Sequence, residues 1–423
     1  MKPIVTLLAA LLCALTTVSA FAVDLPKITS RADLDAVIAD TTDAVFKKAL
    51  TDNAAAILSA VEQHPHIEAV IRAIESSPGT FKKINATPES LKAAAGGEIA
   101  IFDTLTLVST SILGGKAHVY RKLDEDPYDA AFVEHLGHIP ALEYVTIVAT
   151  KIEDSWLPPL LKLTNLKSLS IEGHGKLGDD SLAQLQQLTK LPGLTALELV
   201  GFKATEVGLE QLAGLKNLER FAFIGFPIPG HSLAKFEGWT KLKSLNFHSN
   251  NLDDEGMGYV CERFPNLEFI KLWHSQSLTD ASAEHLKKLS KLKGIEISCK
   301  KATAALFKDM KQLPLEYVAL EYGVNAPAAE AIANVKSIPT LRRLQIEGNL
   351  LTDSDLTLLA NVTQLKELAF NGLDLPDARL PQLQAFSFLK SVTFTRYDKS
   401  YPPETQAKIK ALLPKVEVKL FTP

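Results

Sequence analysis

Residues 242–272 read LKSLNFHSNNLDDEGMGYVCERFPNLEFIKL, and this stretch decides the fold. It opens on Leu-x-x-apolar-x-apolar (Leu242, Leu245, Phe247), moves to helical spacing after Asp253, and returns to the opening pattern at Leu267, Ile270 and Leu272. Alternation at two residues is strand periodicity, whereas apolar residues three and four apart mark one face of a helix. One unit therefore predicts a strand, a turn and a helix.

The opening pattern occurs about eleven times: LEYVTI from Leu142, LKSLSI from Leu166, LTALEL from Leu194, LERFAF from Leu218, LKSLNF from Leu242, LEFIKL from Leu267, LKGIEI from Leu292, LEYVAL from Leu315, LRRLQI from Leu341, LKELAF from Leu365 and LKSVTF from Leu389. The period is roughly 24 residues. No single unit can bury its own apolar face, so neighbours must stack and share one continuous core. The expected fold class is α/β: a solenoid with a curved parallel sheet inside, because strands about 4.8 Å apart are narrower than the helices outside. Asp179, Asp253, Thr279 and Thr352 stand before the helical stretches and are expected to cap them. Gly173, Gly201, Gly225, Gly348 and Gly372 follow the strand cores, where a tight turn or positive φ gives them a structural role.

On these motifs, residues 142–420 resemble leucine-rich-repeat proteins of the strand-plus-helix type. The turns at Leu252, Leu278 and Leu351, which read LDD or LTD, are similar to repeats of exported bacterial proteins and of ubiquitin-ligase substrate receptors. The Asn that many such repeats carry after the strand is largely missing here.

Lys2 and the apolar run from Ile4 to Val18, followed by Ala20-Phe21-Ala22, read as a secretory leader cleaved before Val23. Leu12 before Cys13 argues against a lipoprotein signal. Removing the leader takes the net charge from -4 to about -5, which disfavours a nucleic-acid partner. No later apolar run reaches the ~20 residues of a transmembrane helix, so the expected location is the periplasm or the extracellular space.

The expected organisation is residues 1–22 as signal peptide, 23–98 as an N-terminal helical domain, 99–138 as a divergent first repeat with an insertion, 139–397 as the array, and 398–423 as a C-terminal cap. Leu34 to Phe46, Ile57 to Val61 and Ile67 to Ile74 predict three short helices, and Thr87-Pro88-Glu89 starts a fourth. FDTLTL from Phe102 and DAAFVEHL from Asp129 make the divergent repeat, with residues 111–128 as an insertion able to project a ligand-contacting loop.

Chemistry is sparse. There is no Gly-x-Ser-x-Gly, no phosphate-cradling loop with Gly-Lys-Ser/Thr, and no His-Glu-x-x-His. Glu134-His135-x-x-His138 places two imidazoles on one helix face, and two ligands are not a zinc site; they read as exposed helix-end histidines. His64-Pro65-His66 is weaker, and Gly230-His231-Ser232 lacks an indicated acid. Cys261 and Cys299 lie two repeats apart, beyond the ~7 Å reach of a disulfide, and are expected to be separate thiols. Asn85 and Asn361 begin glycosylation sequons whose use depends on the host. No cofactor is indicated.

Between the core-facing positions, alternation puts the remaining strand residues on the inner surface. Early repeats place Ser168, Ser170, Ala196 and Ala222 there. The middle repeats place Asn246, His248, Phe269, Lys271, Trp273, His274, Glu296, Ser298, Tyr317, Glu321, Tyr322, Arg343, Gln345 and Glu347. Aromatic residues and Arg carry binding energy at interfaces, so this stretch is the candidate surface for a protein, peptide or glycan. Two readings stay open: a ligand surface, or aromatics packed along the sheet among solvated charges. Two other functions also stay open. One is an enzyme or metal protein with its site near residues 111–138; the other is a structural component of an envelope or extracellular assembly. Neither the partner nor the oligomeric state is set by the sequence.

Overall fold

The computed structural model describes residues 28–77, 79–111, 126–308, 310–320, 328–348, 351–396 and 400–421. The expected leader and most of the expected insertion lie outside them. The chain divides into two compact units, residues 1–167 and 168–423.

The first unit begins with helices Arg31–Asp40, Ala44–Asp52 and Ala54–Glu75. Strand β1 (Thr80–Asn85), helix Glu89–Ala95, strand β2 (Asp103–Ser109), helix Ala130–Gly137, strand β3 (Tyr144–Val148) and the short helix Leu157–Leu160 follow. Leu34, Phe46, Leu50, Ile57, Leu91 and Phe102 close a core among the first helices. The two helices expected over 57–74 are one helix of 22 residues that runs through Pro65. Strand β1 was not expected: its TFKKIN sequence is exposed at most positions, so it lacks the clean alternation of a half-buried strand. It pairs antiparallel with β2, with a shift between Lys82 and Lys83, while β2 pairs parallel with β3.

The second unit is the repeat array. Its strands are β4 (Ser168–Glu172), β5 (Ala196–Val200), β6 (Arg220–Ile224), β7 (Ser244–Asn246), β8 (Phe269–Ser275), β9 (Gly294–Cys299), β10 (Tyr317–Leu320), β11 (Arg343–Glu347), β12 (Glu367–Asn371), β13 (Ser391–Thr395) and β14 (Glu417–Phe421). They pair in chain order, all parallel, in a leucine-rich-repeat solenoid. The register sets Leu169, Leu197, Phe221, Leu245, Ile270, Ile295, Val318, Leu344, Leu368 and Val392 in one row, none more than 2% exposed. Burying each such side chain contributes roughly 1.5–3 kcal/mol before chain entropy is subtracted. Helix Pro403–Leu412 and β14 follow the last repeat.

Polar clasps join the starts of successive helical segments. Asp254 accepts from the Thr279 backbone N–H at 3.0 Å and from its hydroxyl at 2.6 Å. Asp280 grips Thr303 in the same way at 2.7 and 2.6 Å, and Asp179 grips Thr205 at 2.7 Å twice. Asp253, Thr279 and Thr352 cap their own helical turns as expected. Asp179 does not: Gly178 holds the cap position, and the Asp179 carboxylate turns to the next repeat instead. Of the turn glycines, Gly201, Gly225 and Gly372 adopt positive φ.

A candidate recognition surface on the exposed face of the sheet

Residues between the buried positions of β7 to β11 line the exposed face of the sheet in two adjacent rows. One row runs Ser244, Phe269, Gly294, Tyr317, Arg343. The next runs Asn246, Lys271, Glu296, Ala319, Gln345. The small residues Gly294 and Ala319 open room between larger neighbours. A Cβ on Gly294 would lie 2.7 Å from the Phe269 ring, and in its absence the Phe269 and Tyr317 rings lie within 5° of parallel, centroids 6.3 Å apart. The Arg343 guanidinium sits 4.6 Å from the Tyr317 ring centroid. Cation–π attraction of this kind is worth about 0.5–1 kcal/mol at an exposed site.

Electrostatics knit the second row to the first. Lys271 Nζ stands 3.3 Å from the Trp273 ring centroid and 3.2 Å from Glu296 Oε2. Tyr317 Oη lies 3.1 Å from Glu296 Oε1 and 3.4 Å from Gln345 Oε1, so its proton goes first to the nearer, charged oxygen. His248 meets the Trp273 ring edge-on at 5.6 Å and the His274 ring at 5.2 Å. His274 and Ser249 occupy the same position one repeat apart, both with positive φ, 56° and 58°. Side chains with a Cβ seldom adopt that conformation, although His does so more often than most.

The structure brings together His248, Phe269, Lys271, Trp273, His274, Glu296, Tyr317, Arg343 and Gln345, with Asn246 beside Lys271 in the same row. Two assignments are corrected. Ser298 and Glu347 are only 3% and 4% exposed, so neighbouring groups cover them and they are not open to a partner. Glu321 and Tyr322 lie outside the described residues. Sequence reasoning missed Gly294 and Ala319, whose signal is a small residue between large ones in a strand row.

Elsewhere the structure gathers the weaker candidates. His66 Nδ1 lies 2.8 Å from His135 Nδ1, and the His66 ring stacks on His138 at 4.1 Å. His135 and His138 are thus half-buried against His66, not free at a helix end. Burial, then the imidazoles of His138 and His135, hold His66 below the ordinary histidine pKa. Among the described residues no group of three or more His, Cys, Asp or Glu is arranged to hold a metal ion. His231 does find an acid, since Nε2 is 2.9 Å from Asp253 Oδ2, but that carboxylate also caps the Asp254–Arg263 helix. Burial opposes the His231 charge, and the bond to Asp253 with nearby Glu255 and Glu206 outweighs it, raising the pKa. Cys261 and Cys299 are separate buried thiols, each pushed up to about 12 by burial. No helix among the described residues is long and apolar enough to cross a membrane.

No protein-family model matches the chain. No curated protein is similar to it in sequence. Among solved structures, the yeast Rad7–Elc1 complex contains a chain 15% identical to this one at a TM-score of 0.48, the match covering 68% of this chain and 77% of that one. An internalin (InlF) from Listeria monocytogenes is also 15% identical, at a TM-score of 0.38, with 75% of this chain and 87% of that one covered.

Proposed function

We propose that this chain is an exported, noncatalytic recognition protein that holds a protein, peptide or glycan on the exposed sheet face between Asn246 and Gln345. One observation carries the reading. Phe269, Tyr317, Arg343, Lys271, Trp273 and Glu296 are linked by stacking, cation–π and polar contacts, so the chain's own side chains hold one another in place. Preorganisation lowers the ordering cost of binding, and aromatic and Arg side chains supply most interface energy. Export rests on the leader ending at Ala22 and follows the exported bacterial type that the LTD turns resemble.

The test is affinity capture with the chain from Val23 onward as bait. Trp273→Ala combined with Tyr317→Ala should weaken the captured partner by about 2 kcal/mol or more, roughly thirtyfold. Gly294→Val, which drives the Phe269 ring out of its stack without removing an aromatic, should also weaken it. A partner held equally by wild type and both variants would remove this face as the site.

A further inference from the structure

The first unit contains a half-open cavity of about 540 Å³, within the range of small-molecule sites and apart from the sheet face described above. Its wall is apolar, built by Ile28, Leu58, Val61, Pro65 and Ile101. Its polar lining is Thr29, Glu62 and His64, with no Lys or Arg among them.

Glu62 and Thr29 each offer an acceptor there. Glu62 contributes a carboxylate. The Thr29 hydroxyl gives its proton to Asp33 Oδ2 at 2.8 Å, leaving lone pairs free. Hydrogen bonds from Ser30 and then Thr29 keep the Asp33 carboxyl below its ordinary pKa, so a second negative charge stands behind the rim. His64 lines the cavity through the rest of its ring, since its Nδ1 is shielded from water. Pro65 lies inside the Ala54–Glu75 helix and has no N–H to give the Val61 carbonyl four residues earlier.

An apolar wall with a rim of acceptors and negative charge fits a ligand with the opposite pattern. We propose that this cavity binds an organic ammonium ion, its alkyl or aromatic body against Leu58, Val61 and Ile101 and its N–H groups directed to Glu62 and Thr29. The site is independent of the sheet face, and gives the N-terminal helices a binding role of their own. His64 and His66 then divide the labour across Pro65: His64 faces the cavity, while His66 meets His135 and His138.

The experiment titrates the chain from Val23 onward with n-octylammonium, octanoate and octanol near pH 7, by calorimetry. Octylammonium should bind saturably and octanoate at least tenfold more weakly. Glu62→Gln, an exposed change that keeps the fold, should weaken the amine about tenfold, the usual worth of one charged hydrogen bond. Leu58→Trp fills the cavity and should abolish binding, with a thermal melt confirming that the variant is folded. The Trp273→Ala, Tyr317→Ala variant should bind the amine unchanged. Octanoate or octanol binding as tightly as the amine, amine binding that survives Glu62→Gln undiminished, or no saturable binding would each overturn the proposal.

Discussion

His274 and Ser249 show how a single residue reports on a site. Their left-handed backbone costs a side chain with a Cβ on the order of 1 kcal/mol relative to glycine, and three other repeats use Gly201, Gly225 and Gly372 at that position. His274→Gly should therefore raise the unfolding free energy by up to ~1 kcal/mol in urea titration, while removing the ring that contacts His248. A loss of stability would show that the imidazole contacts outweigh the strain. At this scale the alternation made Lys271, Glu296 and Gln345 legible as one row, because each sits inside a regular strand. It failed at Ser298 and Glu347, which are buried, because alternation gives the spacing of side chains and not what covers them. Asp179 was misread for a related reason: two acids in succession leave the cap ambiguous by one residue, and backbone geometry alone decides it.

Between elements, the carboxylate–threonine clasps tie the helical side of one repeat to the next. Asp254 is half-buried, and burial alone would raise its pKa. The hydroxyls of Ser282 and Thr279, with the Thr279 N–H, more than offset this and hold it below the ordinary carboxylate value. Its contribution is therefore complete above the unfolded value near 3.9 and is lost as pH falls through the lower folded value. Asp254→Asn should cost about 1–2 kcal/mol at neutral pH, and the wild-type advantage should shrink below about pH 4. Denaturant titrations of both proteins at pH 7 and pH 3 test this; an equal difference at the two values would show that the charge is immaterial. The clasps were not visible in the sequence, since Asp254 and Thr279 are 25 residues apart and only the stacking brings them together. The strands were visible because each repeats the same alternation, whereas β1, with mostly exposed residues, carries too weak a pattern to announce itself.

Across the whole array, each strand pairs only with those before and after it in the chain, so stability is a sum over neighbours. Leu344→Ala in β11 should cost about 2–5 kcal/mol locally. Hydrogen exchange should quicken in β10, β11 and β12 while β5 to β7 keep their protection. Uniform loss of protection would instead mark one cooperative unit. The architecture could be read from the sequence because periodicity repeats a weak signal until it is unmistakable. The partner could not, because a scaffold of this kind does not determine what its surface holds.

The two buried thiols give that array a built-in gauge. A thiolate is the reactive form, and with both pKa values pushed to about 12, Cys261 and Cys299 are nearly inert toward disulfide reagents while their repeats stay closed. In a chain beginning at Val23 they are the sole cysteines. Their labelling rates, separated by peptide mapping, therefore time the opening of two repeats independently, with no probe introduced into the molecule.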